Sequence, residues 1–308
     1  MQHLAPIALF VYNRPEHTRR TLKYLQENLL AEESRLFVFA DAAQANQDEE
    51  QVKEVRALVQ QCTGFKSVKL LAQTKHLGLA NSIIAGIDQL VNEYGKVIVF
   101  EDDLLSSPYT LTYFNEALNR YAHESKVMQI AAYMFPLKDT SALPQTFFLR
   151  SASSWGWATW KRAWDDFDPD INRLYRQFDS AKIDRFTFDG LMNYWKQLLD
   201  FKAGKNDSWA IRWHASIFLK NGLVLYPSKS LIENIGHDGS GVHSIIEDTY
   251  DVHMSRKAVT NYPNEIVENP LAVKAIKHFF KHRKGPWWKR GKKFMLNNWF
   301  KLKNKRWV

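Results

Sequence analysis

The 308-residue chain has a single cysteine, Cys62. That excludes an internal disulfide and the four-cysteine zinc modules, and it points to a reducing compartment. Long apolar runs are missing as well. The opening stretch "MQHLAPIALFVYNRPEH" has about nine apolar residues, no basic segment and no small-residue cleavage site, so we expect a buried strand rather than a signal peptide or membrane span. No window reaches the ~20 apolar residues that a spanning helix needs. Acids are also absent from the last stretch: residues 271–308 carry 13 Lys and Arg and no Asp or Glu. Internal repeats and low-complexity segments are also lacking, and 45% hydrophobic with 14% aromatic residues excludes a disordered chain.

What is present alternates. The runs "PIALFVYN" (6–13), "SRLFVFAD" (34–41), "SVKLLAQ" (67–73) and "KVIVFEDD" (96–103) are short and apolar and end in polar or acidic residues, as buried strands do. Between them "EHTRRTLKYLQENLL", "QDEEQVKEVRALVQQC" and "LANSIIAGIDQLVNEY" have helical patterning. The alternation predicts an α/β, Rossmann-like fold with a mainly parallel sheet flanked by helices. Ligands of such sheets gather beyond the carboxyl ends of the strands, where strand order reverses. Asn13-Arg14, Asp41 and Glu101-Asp102-Asp103 each fall at such an end. The second half is less regular: a Trp- and Ser-rich block at 151–168, an aromatic helical stretch at 186–202, and a loop with Gly236, Gly239 and Gly241. No break is visible before about residue 250. We therefore expect one domain over 1–250 and a helical, basic and aromatic extension over 251–308.

Adjacent acids at a strand end suit Mg²⁺ or Mn²⁺, which take hard oxygen ligands and are commonly held by one or two carboxylates plus substrate phosphates. The same tripeptide also suits a helix start, where acids cap and complement the dipole. Taken with their surroundings, "FEDDLLSSPYTLTYFNEAL" and "VYNRPEHTRRTL" resemble nucleotide-sugar glycosyltransferases of the GT-A fold. More specifically they are similar to the family-13 type, represented by the animal Golgi β-1,2-N-acetylglucosaminyltransferase. The resemblance runs in order through residues 6–243 on short motifs. It implies that Asp103 binds Mn²⁺ or Mg²⁺, that Asp102 and Glu101 face donor or acceptor, and that Arg14 of Asn13-Arg14 contacts the donor. It places Asp41 and His76 of "KHLGLA" near the uracil. The family's G-W with spaced tryptophans is matched by Gly156-Trp157, Trp160 and Trp164, and its D-x-W by Asp207-Ser208-Trp209, which makes Asp207 the catalytic base. Its closing loop is matched by Pro227, Ser230 and "NIGHDGSG", which sets Gly236 over the donor. His237 departs from the animal enzymes; it is either a second metal ligand, as a late His is in other GT-A enzymes, or an exposed loop residue.

The chemistry is consistent with that division. A sugar hydroxyl is a weak nucleophile and needs a carboxylate to take its proton. A departing nucleoside diphosphate needs a metal and a cation such as Arg14 or Arg212. Asp207 and Asp103 on opposite sides of the donor imply single displacement with inversion. Asp207 could instead sit in a turn or cap a helix. Asp165, Asp166 and Asp168 form a rival acidic knot that a capped helix end explains. Trp155, Trp157 and Trp209 are candidates to stack on an acceptor sugar, whereas His214 and His243 are expected to be structural.

The tail "HFFKHRKGPWWKRGKKFMLNNWFKLKNKRWV" interleaves basic and aromatic residues, including Trp287, Trp288, Trp299 and Trp307. That composition suits an anionic membrane surface. The rest of the chain has 29 Lys and Arg against 33 acids. Its negative balance argues against nucleic acid. The expected protein is a cytoplasmic transferase, peripheral on the inner membrane face, using a UDP-sugar and a glycan or lipid-linked saccharide. The alternatives are a retaining transferase and a non-catalytic basic protein that binds membrane or nucleic acid.

Overall fold

The computed structural model describes residues 4–238 and 248–283. Gly239, Gly241, His243 and the tail tryptophans lie outside the described residues.

In the first half β1 (Ile7–Val11), β2 (Arg35–Ala40), β3 (Ser67–Ala72) and β4 (Lys96–Glu101) lie parallel, linked through α1 (Pro15–Gln26), α2 (Glu49–Gln60) and α3 (Leu79–Tyr94). Pro15 starts α1 with its φ preset and Glu16 beside it, and Thr18, Thr21, Leu22 and Leu25 form the buried face at helical spacing. β1 is buried along its whole length because helices cover both faces. β3 is less buried because it is the edge strand.

The second half adds β5 (Leu104–Ser106), α4 (Thr110–Arg120), β6 (Val127–Ala131), β7 (Thr146–Leu149) and β8 (Trp157–Trp160). Four short helices follow: α5 (Lys161–Trp164), α6 (Ile171–Tyr175), α7 (Ser180–Phe186) and α8 (Tyr194–Lys202). Then come α9 (Trp209–Leu219), β9 (Leu223–Pro227), β10 (Ile232–Asn234) and α10 (Pro270–His282). Among the described residues eight strands form one sheet in the order β3-β2-β1-β4-β8-β6-β9-β7, and β10 pairs with β5 in a separate ribbon. Each antiparallel pairing in the large sheet involves β7 or β8. The expected Rossmann-like sheet is therefore present, with mixed pairing added on one side.

The core follows the sheet. α9 is buried on nearly every side because it separates two clusters. Trp209 and Trp213 face the main core, while Ile211, Ala215 and Phe218 pack with Leu174, Phe186 and Leu198. Residues 250–283 also pack on the body. The Tyr121 hydroxyl donates to the Pro263 carbonyl (2.7 Å), Asn269 N–H to the Phe148 carbonyl (3.0 Å), and α10 buries Ala272, Ile276 and Phe280. Among the described residues no helix is long and apolar enough to cross a membrane.

Candidate active site

Strand order runs 3-2-1 and then turns to 4, so the carboxyl ends of β1 and β4 flank the reversal. Their register sets Phe10 against Glu101, which brings the segments after both strands to one edge. There the Arg14 guanidinium donates to Asp103 (2.9 Å) and lies 3.7 Å from both Asp102 and Asp238. His17, one turn along α1, places Nε2 3.2 Å from Asp238. Main-chain bonds hold the acids in place: the Thr21 hydroxyl donates to the Asp102 carbonyl (2.7 Å) and Ile235 N–H to that of Asp103 (2.9 Å).

Charge in this cluster is poorly balanced. Burial, and then the neighbouring Asp103, push the Asp102 carboxyl up to about 7 despite the opposing pull of Arg14. Glu101 is raised well above the ordinary range by burial first and by Asp103 and Asp102 next. A divalent cation would supply charge of the missing sign. Among the described residues no three His, Cys, Asp or Glu side chains converge on a common cation position. The pair Asp102 and Asp103 nevertheless suits a metal that takes only one or two carboxylates from protein. Space at the carboxylate depends on one glycine: a Cβ on Gly236 would stand 2.0 Å from Asp103 Oδ2.

Asp41 and His76, expected near a uracil, form a second cluster beside the first. Asp41 is almost fully buried, and its carboxylate accepts the N–H groups of Ala42 (2.8 Å), Leu77 (2.9 Å) and Gly78 (2.9 Å). Gly78 has φ 77°, a left-handed conformation that a side chain would oppose. His76 Nδ1 lies 3.0 Å from Asp41 Oδ2 and 2.9 Å from the Ala42 carbonyl. Both are acceptors, so Nδ1 is the ring nitrogen that donates to them. The Asp41 carboxylate is thus occupied with shaping the start of α3, and the half-exposed neighbours His76 and Tyr12, with ring centroids 5.3 Å apart, offer the contact surface. Asn13 joins the clusters: its amide donates to Asp48 (3.0 Å), which also accepts from the Tyr12 hydroxyl (2.9 Å).

The remaining candidates divide by position. His237 follows Gly236, its buried Nε2 meets no partner among the described residues, and its ring meets Trp155 edge-on at 5.2 Å. Trp155 and Trp209 both line a cavity. Trp157 does not, since it is wholly buried and stacked on Trp209 at 5.3 Å; no acceptor reaches its ring. Arg212 is also misplaced as a diphosphate contact. It is buried over Phe201 and Phe167 and donates to the Ser208 carbonyl (3.3 Å), which anchors the start of α9. The cap of that helix is Ser208, whose hydroxyl accepts from Ile211 N–H, while Asp207 just ahead is exposed. The rival acids are surface pairs: Asp168 with Arg173 (2.6 Å), Asp165 with Lys161 (2.6 Å), and Asp166 with Lys220. Three contributors went unread in the sequence, His17, Tyr12 and Asp238. The i, i+3 spacing of Arg14 and His17 was the available signal for the first.

No family model matches the chain, and no curated protein matches it. Solved structures do. A mannosyltransferase from Pyrobaculum calidifontis, in complex with GDP-Man and Mn²⁺, aligns at 11% identity over 71% of this chain and 70% of its own, TM-score 0.39. A putative nucleotide-diphospho-sugar transferase from Desulfovibrio desulfuricans aligns at 14% identity over 57% of this chain and 77% of its own, TM-score 0.35. A UDP-glucose pyrophosphorylase complexed with UDP-glucose aligns at 11% identity over 73% of this chain and 90% of its own, TM-score 0.35. Likenesses this distant carry no weight for the chemistry, which has to come from the chain's own residues.

Proposed function

We propose that this chain is a metal-dependent glycosyltransferase that moves a sugar from a nucleoside-diphosphate donor to a hydroxyl of a glycan or lipid-linked saccharide. The observation that carries it is the juxtaposition of Arg14 with Asp102 and Asp103 at the β1–β4 reversal, beneath the Gly236 turn. Such an edge is where α/β sheets receive nucleotides. Asp103 is the residue we assign to hold Mn²⁺ or Mg²⁺, with Asp102 beside it. When bound, the metal offsets the negative charge that develops on a departing diphosphate. Arg14 supplies a fixed cation to the same oxygens, and Tyr12 and His76 present ring surface to the base.

We assign Asp207 as general base and inversion as the outcome. In support, it is an exposed carboxylate two residues ahead of Trp209, which lines the cavity next to the turn. The basic tail is assigned to an anionic membrane surface, where a lipid-linked acceptor would be found.

Calorimetry with UDP tests the core of this proposal. Mn²⁺ should tighten UDP binding at least about tenfold, and Asp103→Ala should abolish the gain. Equal binding with and without metal, or a gain that survives Asp103→Ala, refutes the transferase. Asp207→Asn should retain metal-dependent UDP binding while transfer to acceptor falls about 10²–10⁴-fold; undiminished transfer removes Asp207 from the role of base.

A further inference from the structure

Beside the Asp103 edge lies a cavity of ≈ 320 Å³ whose walls come from several separate parts of the chain. Tyr133 follows β6, Trp155 precedes β8, Tyr194 opens α8, Trp209 and Trp213 lie on α9, and Tyr250 comes from the segment that packs back onto the body. His237 also lines it, one residue from the glycine that abuts Asp103.

Two properties restrict what fits. The first is charge: among the described lining residues there is no Lys, Arg, Asp or Glu. His214, a further lining residue, is held uncharged because burial pushes its pKa down to about 3. An ionic group entering here would lose hydration and, among the described lining residues, meet no Lys, Arg, Asp or Glu to offset it. The second property is unmet hydrogen bonding. Among the described residues the indole N–H of Trp213, on a residue only 1% exposed, meets no acceptor, and the buried His237 Nε2 meets no partner. A purely apolar guest would leave both groups unpaired, which is costly in a desolvated site. The volume lies at the low end of the roughly 300–1,000 Å³ of ligand pockets, enough for one ring rather than a chain of them. A sugar ring meets every condition: its C–H faces pack on aromatic rings, its rim carries hydroxyls that both donate and accept, and it bears no charge.

We propose that this cavity binds one uncharged sugar ring, the acceptor residue of the proposed transfer, with Trp155 against its face and the Trp213 N–H and His237 Nε2 as hydroxyl partners. The word acceptor rests on the transferase reading; the binding of a neutral sugar does not. It follows that the sugar modified is neutral and that charged sugars, such as uronic acids and sugar phosphates, are excluded.

The test uses the full chain and a panel of methyl glycosides of glucose, galactose, mannose and N-acetylglucosamine, with glucuronic acid and glucose 6-phosphate as charged counterparts. Binding is followed by tryptophan fluorescence and ligand-observed NMR, both with and without UDP and Mn²⁺. At least one neutral glycoside should bind, and its charged counterpart should bind at least about tenfold more weakly. Trp213→Phe keeps an aromatic ring, though a smaller one, and removes the donor, so affinity should fall about fivefold. Trp155→Ala should weaken binding by more than about tenfold. Thermal melting accompanies each variant, and where Trp213→Phe fails to fold, Trp155→Ala and the neutral-against-charged comparison decide. Silence across the panel, equal binding of charged sugars, or affinity unchanged in a folded Trp155→Ala protein overturns the inference. The two readings fail separately: metal-dependent UDP binding without sugar binding defeats this inference alone, and sugar binding without UDP binding defeats the transferase.

Discussion

Asp41 accepts three main-chain N–H groups and touches His76, so one side chain sets the entrance of α3. Asp41→Ala should cost about 2–4 kcal/mol in urea unfolding, because buried donors lose a charged acceptor. UDP affinity should fall with it even though the carboxylate is fully engaged within the protein. Gly236→Ala should act differently. The added Cβ meets a movable carboxylate, so Asp103 swings aside, metal-dependent UDP binding is lost, and the melting temperature changes little. His214 gives a pH signature. Its folded pKa of about 3 lies below the ordinary value near 6.5, so above pH 6.5 the ring is neutral in both states and contributes no pH dependence. Below that, the unfolded chain binds the extra proton, and stability falls by about 1.4 kcal/mol per pH unit until about pH 3. Asp102 and Glu101, whose folded values are raised, act in the opposite sense over the same range, so the His214 contribution should be read as the difference between wild type and His214→Phe in equilibrium unfolding between pH 7 and 4, with the wild type losing relative stability as pH falls.

At the scale of elements, the first half was readable because strands buried on both faces leave continuous apolar runs and helices of one buried face leave 3.6-residue periodicity. The acids at the ends of β2 and β4 could be located for the same reason. Where a side chain points within a crowded aromatic block could not. Trp155 and Trp157 are two residues apart, yet one walls a cavity and the other is sealed against Trp209. α9 is apolar nearly all round, so its sequence gives no face, and Arg212 was free to be read toward the donor when it points to Phe201. The Asp102–Asp103–Arg14 grouping was legible from strand ends, but Asp238 and His17 were not, because their meeting depends on how a late loop crosses α1. α10 carries its own prediction. Ending the chain after Pro270 deletes three core side chains, Ala272, Ile276 and Phe280, and should cost at least about 3 kcal/mol by denaturant titration. The membrane role of the tail is better tested by ending after Arg283. Co-sedimentation with anionic vesicles should be lost in that truncation, and equal pelleting would defeat the tether.

Over the whole molecule the charge is split, with 29 basic and 33 acidic residues before residue 271 and 13 basic residues after it. Vesicle binding by the full chain should therefore weaken steeply with added salt while UDP binding responds less. The sheet is built from two halves that meet at β4 and β8, and the acid proposed to hold metal belongs to the first half. The main-chain N–H that clasps it, at Ile235, and the glycine that leaves it room arrive more than 130 positions later. During synthesis the nucleotide edge of β1 and β4 can be laid down early from contacts close in sequence. A chain released from the ribosome short of residue 236 would carry Arg14 and all three acids and still lack the finished site. The proposed activity therefore requires residues through at least Gly236, and products that end before it should turn over no sugar nucleotide.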